Sequence, residues 1–193
     1  MGKAYANRKP MSVRPLNDFY PTPSCMTEEL VKTGVLDNVN NIWDCCCGEY
    51  AIINVLKKHG FNCFGNDIIY GDDYLAREYQ HHECIVMNPP FKLFDKFIYK
   101  AKKEADLVCA IGKANFFGSH SRNINGLWKH LREVYFFDRQ IAFDIPEDAD
   151  GQVECGMMIT GWFVWDMKYN GEPKIKVIDM QKYIKKKKIR GCV

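Results

Sequence analysis

Between residues 41 and 111 the chain alternates short apolar runs with amphipathic ones, and this rhythm restricts the available folds more than any other feature. Residues 41 to 47, with Ile42, Trp43 and the consecutive Cys45, Cys46 and Cys47, read as a buried strand closed by Gly48. Residues 50 to 59 turn Ile52, Ile53, Val55 and Leu56 to one side and Lys57 and Lys58 to the other, the pattern of a half-buried helix, and Gly60 stops it. A second strand is expected over residues 61 to 68, a short helical segment over 72 to 79, and a third strand over 84 to 87. Residues 91 to 104 give another helix, with Phe94, Phe97, Ile98 and Ala101 inward and Lys92, Lys96, Lys100 and Lys103 outward. Residues 107 to 111 supply a fourth strand. Strands separated by helices need crossover connections, so the expectation is an α/β fold with a mostly parallel sheet and helices on both faces.

The flanks are less regular. Residues 17 to 23 contain Pro21 and Pro23, and a residue before proline is pushed out of the helical region, so the segment reads as extended. Thr27 is the expected cap of a first helix, with Glu28 and Glu29 in its opening turn. The glycine- and asparagine-rich run from 112 to 126 is expected to be a mobile loop over a cleft. Strands are expected over 134 to 137, 157 to 165 and 174 to 178, the last two forming a C-terminal antiparallel hairpin through the turn at Tyr169, Asn170, Gly171 and Glu172. At 193 residues the chain is too short for two ordinary domains, and a single domain is expected over residues 17 to 180.

Charge is unevenly spread. Residues 1 to 16 hold Lys3, Arg8, Lys9 and Arg14 with no acid, and residues 181 to 193 hold Lys182, Lys185, Lys186, Lys187, Lys188 and Arg190 with none. Against a net charge of +3, these four and six positive charges leave the body between them at −7. A basic N-terminal arm and a basic C-terminal tail on an acidic body suit a protein whose ends touch phosphates, so nucleic acid is the expected partner. No apolar run reaches the length needed to cross a bilayer, and the N-terminus lacks the apolar stretch of a signal peptide; a cytoplasmic, membrane-free protein is expected. Nine cysteines, three of them consecutive, fit neither a disulfide framework nor a zinc site, and reduced, mostly buried thiols are expected. His81 and His82 are adjacent and point in different directions, so no metal is expected.

In such a sheet, ligands bind beyond the carboxyl ends of the strands. Asp44 to Gly48, Asp67, Asp72 with Asp73, and Asn88 to Phe91 all fall there. Asp67, at the end of the second strand, is placed to accept hydrogen bonds from both hydroxyls of a ribose. The loop before Tyr50 has one glycine where dinucleotide fingerprints have two or three, so a cofactor without a pyrophosphate is expected. Asn88, Pro89, Pro90 and Phe91 are the sharpest signal. Two prolines after a buried strand cannot continue its ladder and fix a rigid turn. That turn would present the Asn88 side-chain oxygen and the Pro89 carbonyl to one exocyclic amine, with Phe91 stacked on the attached ring.

Together these residues resemble the S-adenosylmethionine-dependent N6-adenine methyltransferases, which are built on a seven-stranded Rossmann-like class I fold, and in particular the compact, phage-type DNA enzymes. The resemblance spans most of the chain. It implies transfer of a methyl group to adenine N6 in DNA, with Asn88, Pro89, Pro90 and Phe91 catalytic. It further implies cofactor binding by Tyr20, Thr22, Asp44, Cys46, Gly48, Asp67, Ile68, Asp73 and Tyr74, and substrate binding by Phe91, Lys92 and Phe143. Cys45 stands where that family usually has proline, and Tyr50 where it has a second glycine. No large target-recognition domain like that of restriction-type enzymes is expected, so reading of the target would fall to residues 112 to 126 and 147 to 152. The same tetrapeptide also suits an RNA adenine methyltransferase or a protein-glutamine methyltransferase, and a non-catalytic nucleic-acid-binding protein on a degenerate methyltransferase fold is the alternative from another class.

Overall fold

The computed structural model describes residues 20 to 185. The elements are α1 (Ser24–Lys32), β1 (Asn41–Asp44), α2 (Ala51–Lys58), β2 (Asn62–Gly65), β3 (His82–Met87), α3 (Phe94–Glu104), β4 (Ala105–Lys113), α4 (His120–Ile124), β5 (Leu131–Phe137), β6 (Thr160–Asp166) and β7 (Lys174–Ile178). The seven strands form one sheet in the order β2-β1-β3-β4-β6-β5-β7. β1 to β4 run parallel, β6 enters antiparallel to both β4 and β5, and β7 is parallel to β5.

Alternation along the strands builds two cores, one on each face of the sheet. Cys84 and Val86 of β3, Leu107, Cys109 and Ile111 of β4, and Trp162 and Val164 of β6 pack with α1 and α2. Ile85 and Met87, Val108 and Ala110, and Phe163 and Trp165 pack with α3 on the other face. Burying an aliphatic or aromatic side chain contributes about 1.5 to 3 kcal/mol, so the period-two pattern fixes the strand register firmly. The two tryptophans of β6 also tie each layer down: Trp162 Nε1 donates to Met26 O at 2.8 Å and Trp165 Nε1 to Leu127 O at 2.9 Å. The expected class is therefore the observed one, a mostly parallel sheet between helices with antiparallel pairing near the C-terminus.

Several local expectations give way to longer-range contacts. α1 begins at Ser24, directly after Pro23, and Thr27 is buried within the helix. Its first turn is capped from 123 residues away, where Glu147 Oε2 accepts from both Ser24 N and Ser24 Oγ at 2.8 Å. Residues 72 to 79 hold turns instead of a helix. The run from 112 to 126 is largely structured: β4 extends to Lys113, a 3-10 turn spans Ala114–Gly118, and α4 follows. Arg122 fixes it, donating to Asp95 Oδ1 at 2.7 Å and lying over the Phe116 ring. The turn at Tyr169 to Glu172 does not close a β6–β7 hairpin, because β5 lies between them and the antiparallel pair is β5 with β6.

The basic arm expected over residues 1 to 16 lies outside the described residues, as does the tail from 186 onward. The start of that tail is engaged within the protein. Lys182 pairs with Glu29 at 2.9 Å, and Lys185 lies 3.7 Å from Asp148 and from Glu154. Burial alone would raise the Glu29 carboxyl, but hydrogen bonds from Lys182, Lys32 and Tyr183 hold it below the usual carboxylate range.

Candidate functional site

β3 is buried at its last four positions and delivers Asn88 to the rim of the sheet, where its side chain is half-buried. The Asn88 amide nitrogen donates to Thr22 Oγ1 at 3.0 Å and to Tyr20 O at 3.4 Å. The extended Tyr20 to Pro23 segment thus fixes which way the amide faces, and Oδ1 is left to accept from elsewhere. Pro89 is buried, and the Pro90 carbonyl accepts from Leu93 N at 2.8 Å, which turns the chain into α3.

Phe91 stands on that turn within an aromatic cluster. Its ring meets Phe116 edge-on at 6.0 Å and Phe143 edge-on at 6.4 Å, and Lys113 Nζ lies 4.1 Å from its centre. The structure therefore brings Tyr20, Thr22, Asn88, Phe91 and Phe143 together, with Lys92 exposed on the same turn. Sequence reading missed Phe116 and Lys113. Both lie in the run from 112 to 126, expected as a mobile loop over the cleft, and Lys113 falls beyond the expected end of the fourth strand at residue 111, whereas β4 reaches it.

The second half of the site is the loop after β1. Gly65 lets this loop close on β2, since a Cβ there would lie 2.8 Å from Cys47 Cβ and against Ile53. Cys47 N donates to Asn66 O at 3.0 Å. Asp44 is buried; its Oδ1 accepts from Cys46 N at 3.1 Å, and its Oδ2 has no hydrogen-bond partner among the described residues. Burial, with the nearby Asp67 charge adding to it, pushes the Asp44 carboxyl up to about 7 against the hydrogen bond from Cys46. An orphaned carboxylate oxygen of this kind is costly to bury and marks a place where a positive or donating group fits.

Asp67 spends one lone pair of each oxygen on the backbone, accepting from Gly48 N at 2.8 Å and from Ile69 N at 3.0 Å, which leaves acceptor capacity on both. Ile68 is exposed beside it. Tyr70, unanticipated from the sequence, donates its hydroxyl to Gly48 O at 3.0 Å and stacks on Tyr50, with ring centres 5.6 Å apart. Tyr50 has φ 63°, so it keeps the left-handed backbone that a glycine would adopt there and turns its ring toward Tyr70.

A cavity of about 610 Å³ opens beyond this stack, lined by Tyr50, Asn66, Tyr70, Asp72, Asp73 and Arg77 among others. Asp73 lies on its wall and binds Leu75 N at 2.9 Å. Asn88 is not part of that lining. Tyr74 is not brought to the rim: it is buried in the core between Trp43, 5.4 Å away, and Phe97, 5.3 Å away. Cys46 is half-buried in the loop, and its thiol is raised well above the ordinary value by Cys45 and by burial. Among the described residues no group of three His, Cys, Asp or Glu is arranged to hold a metal, and no helix is long and apolar enough to cross a membrane.

No protein-family model and no curated protein matches the chain. Solved structures do. A structure assigned as the modification subunit of a type I restriction enzyme from Vibrio vulnificus aligns over 87% of this chain and 50% of its own, with 10% identity and a TM-score of 0.56. A type I restriction-modification methyltransferase subunit from Streptococcus thermophilus aligns over 86% and 47%, with 13% identity and a TM-score of 0.51. The 23S rRNA methyltransferase ErmE aligns over 79% and 70%, with 12% identity and a TM-score of 0.51. The chain thus spans about half the length of the two restriction-modification subunits. At these identities the likeness concerns the fold, which is the Rossmann-like fold of methyltransferases.

Proposed function

We propose that this chain transfers a methyl group from S-adenosylmethionine to the N6 amine of adenine in DNA. The observation that carries the reading is the Asn88 amide, whose nitrogen is committed to Thr22 and Tyr20 so that its oxygen is left as an acceptor on the turn that also carries Phe91. A planar base stacked on Phe91 would offer its exocyclic amine to Asn88 Oδ1 and the Pro89 carbonyl. Two accepted hydrogen bonds withdraw the nitrogen lone pair from conjugation with the ring and hold it ready to attack. Catalysis of this kind works by position and electrostatics, and the proton released from the methylated amine passes to solvent.

The residues present fit the cofactor. The unpartnered Oδ2 of Asp44 suits the ammonium of a methionine end, and Asp67 retains acceptor capacity for ribose hydroxyls. Cys46, Gly48, Ile68 and Asp73 are assigned to the same binding surface, with Tyr20 and Thr22 closing it. S-adenosylmethionine supplies the electrophilic methyl; the protein supplies orientation.

DNA is preferred because the motifs resemble compact DNA adenine methyltransferases. RNA is the second reading, favoured by the structural likeness to a 23S rRNA methyltransferase and by a tetrapeptide that reads only the base. Incubating the protein with labelled S-adenosylmethionine and either DNA or RNA, then digesting to nucleosides, tests both. Labelled N6-methyldeoxyadenosine is expected. Label only in RNA shifts the substrate, and no label together with no cofactor binding by calorimetry overturns the enzymatic reading.

A further inference from the structure

The segment that orients Asn88 is itself held from elsewhere in the chain. Tyr20 and Thr22, which accept from the Asn88 amide nitrogen, stand just ahead of α1. Pro23 occupies the N-cap position and has no side chain that could accept from the first turn. Glu147 takes that role: its Oε2 accepts from Ser24 N and from Ser24 Oγ, each at 2.8 Å. The backbone passes through Pro23 between Thr22 and Ser24, and through Pro21 between Tyr20 and Thr22; each ring locks a backbone torsion. Few soft torsions therefore separate the Glu147 carboxylate from the two oxygens that face Asn88. Glu147 is in turn steadied by the loop that follows it. There Asp148 Oδ1 accepts from Asp150 N at 3.1 Å and from Gln152 N at 2.8 Å, and Gln152 O accepts from Asp148 N at 3.0 Å.

We propose that Glu147 is a positioning residue that sets the orientation of the Asn88 amide through the start of α1. An asparagine amide presents an acceptor on one side and donors on the other, so a flip about its last torsion exchanges them. The two contacts differ in what they allow. Tyr20 O can only accept and so admits only the nitrogen, whereas the Thr22 hydroxyl can accept from the nitrogen or donate to the oxygen. Tyr20 O is also the longer contact, at 3.4 Å against 3.0 Å, and is the first to be lost when the segment shifts. With Thr22 alone, either face of the amide is satisfied, and the flipped one sets its NH2 against the NH2 of an incoming base. Glu147 prevents that shift by anchoring Ser24. This inference rests on the proposed use of Asn88 Oδ1 as the acceptor for the substrate amine.

The test follows the Asn88 side-chain amide protons by NMR in the whole chain, without cofactor or substrate. Their exchange with water is expected to quicken severalfold in Glu147→Ala and to return to the wild-type rate in Glu147→Gln, whose amide oxygen still accepts from Ser24. Thr33→Ala removes the hydroxyl that donates to Leu30 O at 2.6 Å at the other end of α1, and so reports what loosening of the helix alone does. It is expected to lower the melting temperature and leave the Asn88 protons unchanged. Should Glu147→Ala fail to melt cooperatively, Ser24→Ala, which deletes only the hydroxyl contact, is expected to show the same change at smaller size. In methylation assays kcat for Glu147→Ala is expected to fall about five- to tenfold, the size of one lost cap, with KM for DNA and cofactor affinity within about twofold. Unchanged Asn88 exchange in folded Glu147→Ala overturns the proposal even if methyl transfer is robust, and so does quickened exchange with an unchanged kcat. Equal quickening in Thr33→Ala overturns it as well, by making the effect a general loosening of α1. Faster exchange in Glu147→Ala of a protein that transfers no methyl group keeps the link from Glu147 to Asn88 and rejects the enzymatic reading instead.

Discussion

The two sides of the cleft are built differently. At the Asn88 turn the polar and aromatic groups are held by the protein itself: Thr22 and Tyr20 fix the amide, and Phe116, Phe143 and Lys113 surround the ring. In the loop after β1, an oxygen of buried Asp44 has no hydrogen-bond partner among the described residues, and Tyr50 sits in a left-handed backbone that side chains avoid. One side is assembled in advance, whereas the other holds unspent acceptor capacity that a ligand would satisfy. On the proposed reading, the side that would hold the cofactor carries the strain and the side that would hold the substrate the order. That is the arrangement expected where binding energy is used to complete a site.

Removing Asn88 should have the largest effect. Asn88→Ala deletes a fixed acceptor while leaving the prolines in place, and loss of one such group typically lowers turnover by about 100- to 1,000-fold. Cofactor affinity should hardly change, because the proposed reading puts the amide on the substrate side. Single-turnover rates and calorimetry on the same variant check this, and equal loss of both would break the division between the two sides.

Asp44 provides the next largest effect and sharpens the contrast by its sign. With its carboxyl raised from 3.8 to about 7, the folded protein holds a proton that the unfolded chain releases. Stability should therefore fall as pH rises from about 4 to about 7 and level off above that, by roughly 4 kcal/mol at most. Asp44→Asn should remove this fall and weaken S-adenosylmethionine binding at neutral pH. Thermal melts across this range measure it. Parallel pH profiles for wild type and Asp44→Asn would show that Asp44 is satisfied in solution and that the cofactor side is as complete as the substrate side.

How much of this was legible in the sequence follows the reach of each interaction. The strand-helix rhythm from residue 41 onward and the tetrapeptide are local signals, and apart from the turns at residues 72 to 79 both sit where the pattern puts them, at strands and at a strand end. The start of α1 was not legible, because its cap, Glu147, lies 123 residues away. β6 and β7 were read as neighbours from a turn-like sequence, but β5 inserts between them, and strand order is a property of the whole sheet. Tyr74 was assigned to the rim through its neighbour Asp73, while burial against Trp43 and Phe97 claims its ring for the core. Tyr70 and Lys113 matter through contacts with residues outside their own elements, Gly48 and Tyr50 for the one and Phe91 for the other, and periodicity carries no trace of such contacts.

Tyr50 yields the smallest expected effect and the finest test of the contrast. A left-handed backbone at a residue bearing a Cβ costs about 1 to 2 kcal/mol, and Tyr50→Gly relieves it. The same change removes the stack on Tyr70, worth about 0.5 to 1.5 kcal/mol, so the two terms nearly cancel and the melting temperature should move little. What should change is access: without the ring, one wall of the 610 Å³ cavity retracts. If Tyr50 merely stands at the edge of the cofactor surface, S-adenosylmethionine binding should stay within a few-fold of wild type and dissociation should quicken. A large gain in affinity would instead mean that Tyr50 obstructs the methionine end. The strain on that side of the cleft would then be a barrier to the ligand instead of a vacancy awaiting it.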